Sequence, residues 1–527
     1  MKQQPGYYIL PKPTKSFWDS LLFVIKIPIS LPGWIVSFLL ARIITNIILN
    51  PTQAKSQRPV HLVHLTDSPH GENNIVIVNL LPKPWYKTLA DFLLKFSSTF
   101  FRLPFLAAIK QKQLRYDNAD DKAHIDKLIY DIGLLSQGDA TDNDCVGIVC
   151  DWEKIHVKGI EHLDDELRAY FFQQLQEQYG ADVLKPRTTN IEFFTLESPD
   201  DAVLDSIAVS AQNEDSKAMS ERKFVIVCLA HGQSYVDWIK RFHYSAEKIG
   251  CTVVGFNYRG IDYSKGLVWT ENNMIDDAIS QVERLLALGA KPENIGLEGM
   301  CVGGSIATLA AARLHERDLK VKLYNERSFR STARFLAGSV LSDAPSSLLS
   351  PVTWLRYSLV IFVYVVLAPV IWLAGWHLDA ASAWDKIPFA DKSYSVIRNA
   401  MDENPNAPKH DGIIEDSWSS MASLVDETRA SLVDKKQLGQ SLTPEETMQL
   451  ADTPDKHHFK VDPQFALENK KPHVIASRHL VLANSDIPLR MSDHMVASFK
   501  DKFFQSPIAS SSDEPNRSRS TADVLPI

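Results

Sequence analysis

Apolar runs of strand length recur along the chain from about residue 190 onward, separated by polar and turn-forming stretches. The first two runs, 191–195 and 203–209, flank the turn residues 198–201 (SPDD), and this pattern predicts a β-hairpin. The later runs 223–230 and 251–257 are apolar runs of the kind that form strands buried on both faces of a parallel sheet. Further predicted strands lie at 294–298, 321–325 and 393–398.

Helical patterns separate these strands. Residues 274–289 show the clearest one, with apolar positions three and four apart, two aspartates in the first turn and a glycine at the end. Residues 235–249 and 305–314 are also predicted helices. Strands that alternate with helices indicate βαβ units, so we expect an α/β fold with a mostly parallel central sheet flanked by helices.

The chain divides into four predicted parts. Residues 1–60 form a hydrophobic N-terminal extension that we expect to associate with membranes, and 61–189 mix strands and helices without a predicted role. Residues 190–505 carry the main α/β domain, in which 331–392 are an insertion expected to form an apolar cap. Residues 506–527 are rich in Ser, Asp, Pro and Arg, which predicts a disordered polar tail.

Two apolar segments raise the question of membrane contact. The first, about 17–50, has an uncharged run of only 15 residues (27–41), whereas a helical span needs about 20. The second, 358–375, has 18 uncharged residues with tryptophans 354, 372 and 376 around it. Membrane contact, with or without a span, and a buried or lid helix are the alternatives for both segments.

Composition narrows the functional class. Apolar residues make up 45% and charged residues 23% of the 527 residues, so a packed core is expected. The net charge of −8 gives no reason to expect nucleic-acid binding. The five cysteines are too few for a disulfide framework, and the close pair Cys145 and Cys150 lacks further zinc ligands. No cleavable signal peptide is evident at the N-terminus.

The most informative motif is residues 299–304 (GMCVGG), which fit the nucleophile-elbow pattern G-x-S-x-G with cysteine in place of serine. The elbow is a sharp turn from a strand into a helix, and both neighbours are predicted here. Cys301 is therefore the candidate nucleophile, because a helix N-terminus favours the reactive thiolate. The alternatives are a small buried thiol or the use of Ser305, which lies one turn further into the helix.

In enzymes with a nucleophile elbow, the acid and then the histidine of the catalytic triad follow the nucleophile along the chain. Asp411 is the preferred acid, since it follows the strand after the insertion and precedes an apolar pair; Asp402 is the alternative. His479 is the preferred histidine because a predicted helix follows it, and His473 is the alternative. His457 and His458 lie in a charged, turn-rich stretch and are interpreted as part of a polar loop.

An oxyanion hole needs two hydrogen-bond donors directed at the developing negative charge. The backbone N–H of Val302 is predicted to supply one donor. The second is expected from Gly232 or Gln233, in the loop that follows the strand 223–230. Arg259, after the next strand, either meets an anionic group of a ligand or forms a structural ion pair.

With these motifs, residues 190–505 resemble the α/β-hydrolase superfamily. More narrowly, the stretches 256–260 (FNYRG), 299–304, 324–329 (YNERSF) and 411–414 (DGII) resemble the SidB/SdbA-like substrates of Dot/Icm type IV secretion. That resemblance implies a lipase- or phospholipase-like effector delivered by a bacterium into a host cell, with the polar tail as an export signal. The cysteine elbow departs from the usual serine and fits a thiol hydrolase, an acyltransferase or a decayed enzyme.

The expected function is therefore a membrane-associated hydrolase of acyl esters or thioesters that uses Cys301, His479 and Asp411. No metal or organic cofactor is expected. The expected partners are a lipid or other acyl substrate and a membrane surface; without secretion, the protein would lie at the cytoplasmic face of a membrane. The alternatives are a non-catalytic membrane-binding or scaffold protein on a degenerate hydrolase fold, and an acyltransferase.

Overall fold

The structure is a computed structural model of the 527-residue chain. It describes residues 2–4, 7–11, 60–64, 74–79, 114–137, 155–158, 163–179 and 190–504, the last range with gaps at 213, 267, 269, 339–350, 374, 399–410, 417, 463–472, 474 and 484–488. Most of the predicted N-terminal segment and the whole tail 506–527 lie outside the described residues.

A mixed sheet of eleven strands dominates the described part of the chain, and a separate three-stranded sheet accompanies it. The large sheet has the order β1-β2-β6-β7-β9-β8-β10-β11-β12-β13-β14, and the small sheet the order β3-β4-β5. The strands are β1 (Lys2–Gln4), β2 (Tyr7–Ile9), β3 (Val60–His64), β4 (Asn74–Asn79), β5 (Ile155–Lys158), β6 (Asn190–Glu197), β7 (Val203–Ser210), β8 (Phe224–Cys228), β9 (Thr252–Phe256), β10 (Ile295–Met300), β11 (Lys322–Glu326), β12 (Lys392–Ile397), β13 (His458–Val461) and β14 (Leu480–Leu482).

The pairing directions define the fold class. Strands β6 and β7 form the predicted antiparallel hairpin, and β7 is antiparallel to β9. From β9 through β8, β10, β11 and β12 to β13 every pair is parallel. From β6 to β13 the strands lie side by side in chain order, except that β8 and β9 exchange places. The nucleophile candidate follows β10, the fifth strand of this series. This is the α/β-hydrolase fold, and the predicted fold class is confirmed.

Helices fill the connections between the parallel strands. The described α-helices are α1 (Ala119–Gln137), α2 (Asp165–Tyr179), α3 (Ile239–Ile249), α4 (Glu271–Ala287), α5 (Val302–His315), α6 (Thr332–Gly338), α7 (Pro351–Leu373), α8 (Ala380–Trp384), α9 (Met421–Gln437), α10 (Pro444–Ala451) and α11 (Met491–Ala497). Of the helices predicted within the main domain, α4 and α5 begin three residues earlier than the pattern indicated.

The core lies where the parallel strands meet the helices. Strands β8, β9 and β10 are buried along their whole length, which explains their continuous apolar runs. Helix α5 packs into this core with Ile306, Ala307, Ala310 and Leu314 fully buried. Because α5 begins immediately after β10, the core holds the connecting turn in place from both sides.

The insertion between β11 and β12 contains α6, α7 and α8. Helix α7 has a narrow buried face, formed by Val360 and Ile371, and Tyr364 packs edge-on against Trp418 with ring centroids 5.8 Å apart. Large apolar side chains cover much of the remaining surface of α7 and are exposed to solvent. Within the described residues, no helix combines the length and the apolar character needed to cross a bilayer.

Candidate active site

The turn between β10 and α5 has the geometry that the elbow motif requires. Cys301 adopts φ 56° and ψ −123°, a conformation that a side chain seldom takes, and its N–H donates to the carbonyl oxygen of Glu326 at 3.0 Å. A Cβ on Gly299 would clash with the carbonyl of Gly303, and one on Gly303 with the carbonyl of Cys228. The two motif glycines are thus needed for backbone contact, and Cys301 remains partly exposed.

The predicted oxyanion donors lie at this edge of the sheet. The earliest N–H of the turn bonded within α5 is that of Gly304, to the carbonyl of Cys301 at 3.0 Å, so Val302 occupies the N-terminal turn whose donors point out of a helix. Gly232 adopts φ +71° in the loop after β8. The N–H of Gln233 makes a long turn bond of 3.4 Å to Ala230.

Asp411 is buried, and each of its carboxylate oxygens has a separate role. Oδ1 accepts hydrogen bonds from the backbone N–H groups of Ile413 (3.0 Å) and Ile414 (2.7 Å). Oδ2 is 2.6 Å from Nδ1 of His473. Burial alone would raise the pKa of Asp411, but the charge and hydrogen bond of His473, with the two backbone donors, lower it below its usual value. Asp411 therefore stays ionised and fixes the imidazole.

His473 links this carboxylate to Cys301. Burial disfavours the charged imidazole, but the charges of Cys301 and Asp411 and the hydrogen bond to Asp411 raise the pKa of His473 to about 10. With Nδ1 held by Asp411, the other nitrogen, Nε2, is buried and has no partner of good hydrogen-bond geometry among the described residues. Nε2 is therefore the atom available to exchange a proton at Cys301.

The structure thus places His473, rather than the preferred His479, beside Asp411. His479 is half-buried in a short turn, Ser477–His479, where its Nε2 accepts from Arg478 at 3.0 Å and its carbonyl accepts from Asp462. The preference for His479 rests on the helix predicted after it, and that criterion does not separate the two histidines, since both precede α11. His473 comes after β13, the last parallel strand, and before the short turn that contains His479. Asp402, the alternative acid, lies outside the described residues.

Other candidates have structural partners. Ser305 is fully buried, and its Oγ lies 2.9 Å from Oγ of Ser328 and 3.2 Å from the carbonyl of Phe329, so it is not available as a nucleophile. Arg259 is buried in an ion pair with Asp277 and Asp200, which is the structural alternative considered above. Among the residues described by the structure, no group of three or more His, Cys, Asp or Glu side chains could hold a metal ion.

Sequence reasoning missed a buried ionic network beside the elbow. Glu298, within β10, and Glu326, at the end of β11, both receive hydrogen bonds from Arg241. Arg327 donates to Glu326 from the other side. Burial would raise the pKa of Glu326, but attraction to Arg241 and Arg327 lowers it to about 2. The only sequence signal was the glutamate–arginine pair itself, which is common on protein surfaces.

No protein-family model and no curated protein matches the chain. Among solved structures it is similar to an alpha-beta hydrolase from Vibrio vulnificus (16% identity, TM-score 0.28), over 39% of this chain and 63% of that one. It is also similar to the hyperthermophilic esterase from the archaeon Pyrobaculum calidifontis (13% identity, TM-score 0.32), over 60% of this chain and 85% of that one. A third similar structure is the Pyrococcus furiosus esterase Pf2001 (16% identity, TM-score 0.26), over 40% of this chain and 70% of that one.

Proposed function

We propose that the protein hydrolyses acyl esters or thioesters through a covalent acyl-enzyme on Cys301, with His473 and Asp411 completing a triad. The observation that carries this proposal is the position of His473. Its Nδ1 is 2.6 Å from the buried carboxylate of Asp411, and the charges of Cys301 and Asp411 together raise its pKa to about 10. A thiol, an imidazole and a carboxylate coupled in this order form the arrangement used for nucleophilic acyl transfer.

The mechanism follows from the charges. The imidazolium of His473 and the thiolate of Cys301 stabilise each other, so the thiolate attacks the acyl carbonyl and forms a C–S bond. The oxyanion is stabilised by the N–H of Val302 and by an N–H from Gly232 or Gln233. His473 then gives its proton to the leaving alcohol or thiol. Neutral His473 next removes a proton from water, which attacks the acyl-enzyme and releases the acid. The proposal uses no metal or organic cofactor.

A lipid substrate is supported by the surface of α7. Nine large apolar side chains are exposed there, from 36% for Tyr357 to 71% for Leu355. At 100° per residue they cover an arc of roughly 200°. Helix α7 has no acidic residue, and Trp354 and Trp372 lie about 27 Å apart at its two ends. An apolar helix face with tryptophans at the boundary suits the interface of a membrane, so we propose peripheral lipid contact through α7.

The alternatives differ from this proposal in what they need from the site. A degenerate hydrolase that serves as a membrane scaffold needs no acid–histidine pair beside Cys301. The contact between Asp411 and His473 therefore favours the hydrolase over the scaffold. An acyltransferase would use the same triad and differ only in the acceptor that removes the acyl group. Delivery into a host cell as a type IV effector, or a place at the cytoplasmic face of a membrane, remains a proposal that rests on the sequence resemblance alone.

The test is covalent labelling with an alkyne-tagged long-chain acyl thioester, followed by peptide mass spectrometry. We expect the acyl group on Cys301 in the wild-type protein and in Cys251→Ala, which removes a fully buried thiol. Labelling should disappear in Cys301→Ala and fall sharply in His473→Asn. If folded, reduced protein takes up no label with or without liposomes, the hydrolase proposal is wrong and the scaffold alternative gains support.

A further inference from the structure

One buried guanidinium joins the nucleophile elbow to the loop that carries His473. Arg327 directly follows β11, is 2% exposed and adopts φ +49°. Its Nη1 donates to the carbonyl oxygens of His473 and Ile475, both at 2.8 Å. The two carbonyls belong to the histidine and to the residue two positions later, so the guanidinium spans the loop at the position of the catalytic candidate.

The other side of the guanidinium faces the elbow. Nη2 donates to Glu326, to Oγ of Ser477 at 3.2 Å and to the sulfur of Met300, the residue before the nucleophile. Ser477 in turn donates to Oε1 of Glu326 at 2.7 Å. Arg327 therefore contacts the elbow, the end of β11 and the histidine loop at the same time.

The network is neutral, which allows it to remain buried. Two positive charges, Arg241 and Arg327, face two negative charges, Glu298 and Glu326. A buried arginine at positive φ is in an unfavourable backbone conformation, which persists only where its contacts over-determine it. The planar guanidinium of arginine has five N–H donors, so it can donate hydrogen bonds to carbonyls, a hydroxyl and a carboxylate at the same time. The ammonium group of lysine cannot make this set of hydrogen bonds.

We propose that Arg327 is a positioning residue that holds the loop of His473 at the distance and angle at which Nε2 meets Cys301. This inference rests on the proposed triad. Arg327 touches no reacting atom, so its loss changes the placement of the imidazole and leaves the binding of the substrate intact. A misplacement of about 1 Å at such a site can lower the rate about 100-fold.

The experiment compares Arg327→Lys with Arg330→Lys. Arg330 is also a buried arginine paired with a glutamate, Glu427, but its side chain contacts α9 and not the histidine loop. We expect Arg327→Lys to lower kcat for p-nitrophenyl butyrate about 30- to 100-fold with KM within about twofold. Arg330→Lys should keep the wild-type kcat. Thermal unfolding verifies that both variants are folded.

A second readout needs no substrate, so it separates this inference from the proposed function. Iodoacetamide alkylates the thiolate, and its rate at Cys301 as a function of pH reports how well His473 stabilises that charge. In Arg327→Lys the rate at pH 7 should fall at least fivefold. Wild-type alkylation and kcat in folded Arg327→Lys would overturn the proposal.

If Arg327→Lys does not fold, Ser477→Ala provides the same test with a smaller change. It removes the hydroxyl that joins Arg327 and Glu326 to the histidine loop. We then expect the alkylation rate at pH 7 to fall about two- to fivefold. A rate equal to that of the wild-type protein would contradict the proposal.

Discussion

The nucleophile elbow and helix α7 are built in opposite ways. At the elbow the backbone of β10, α5 and β8 is packed so closely that a methyl group on Gly299 or Gly303 has no space. Helix α7 is held by one narrow face, and apolar side chains cover most of its remaining circumference. The first region is held by backbone contacts within the chain, whereas the second leaves a large apolar area exposed among the described residues.

The difference shows which properties each region can have. A rigid turn fixes the nucleophile relative to its acid, histidine and donors, as precise covalent chemistry requires. A helix with a wide apolar surface gains free energy only when something else covers it. Catalysis and lipid contact should therefore respond to different mutations, and the following predictions test that separation.

The largest effect is expected at the histidine. His473→Asn removes the base between Asp411 and Cys301 and should lower kcat/KM on a soluble ester about 10³- to 10⁴-fold. His479→Asn is the matched control, since its ring bonds to Arg478 outside the triad, and it should change kcat/KM less than about threefold. The reverse result, with His479 essential, would show that the triad has been assigned to the wrong histidine.

Next comes the packing of the elbow. Gly303→Ala places a methyl group against the carbonyl of Cys228, and we expect the free energy of unfolding to fall by about 2–4 kcal/mol. Gly439→Ala is the control, because nothing lies within 4 Å of its Cβ and only the positive φ opposes alanine. Urea denaturation measures both. Equal losses in the two variants would mean that the elbow is less tightly packed than described.

A smaller effect is expected on lipid contact. Replacing Phe362 and Val365 together by serine removes apolar area worth about 2 kcal/mol, which should weaken sedimentation with phosphatidylcholine vesicles about 30-fold. Leu438→Ser, on an exposed leucine at the C-terminal end of α9, should bind like the wild-type protein. Activity on a soluble ester should stay within about twofold. Unchanged vesicle binding in the double variant would remove α7 as the lipid contact.

The smallest effect concerns pH and stability. The pKa of His473 is raised to about 10 in the folded protein, so protonation stabilises the fold fully below its ordinary pKa of 6.5 and this contribution is lost as the pH rises toward 10. The unfolding temperature should therefore drop more between pH 7 and pH 10 in the wild-type protein than in His473→Asn, by a few degrees. Scanning calorimetry measures both slopes; parallel slopes would argue against the ion pair.

The sequence was sufficient to predict the order of strands and helices, because continuous apolar runs and a period of 3.6 residues reflect burial directly. The elbow was predictable for a similar reason, since its glycines and its place between β10 and α5 are local features. Asp411 was preferred because an apolar pair follows it, and the backbone N–H groups of that pair now hold its carboxylate.

The histidine and the buried network were harder to predict. Strand β13 is four residues long and begins with a histidine, so it lacks the apolar pattern that marks the central strands. His473 is brought to Asp411 by a loop, and loop conformation depends on distant contacts. Arg327 is one such contact: its two carbonyl acceptors lie about 150 positions away in sequence, and no local pattern contains that information.

In the proposed mechanism the thiolate of Cys301 also makes this site the chemically vulnerable point of the described fold. Thiolates react with peroxide much faster than thiols and give a sulfenic acid that reductants can reverse before further oxidation makes the loss permanent. Cys228 and Cys251 are fully buried, and burial raises the pKa of both thiols, so they are protected. An oxidising environment would therefore inactivate the proposed enzyme by oxidising the sulfur of Cys301, while the sheet around it stays folded.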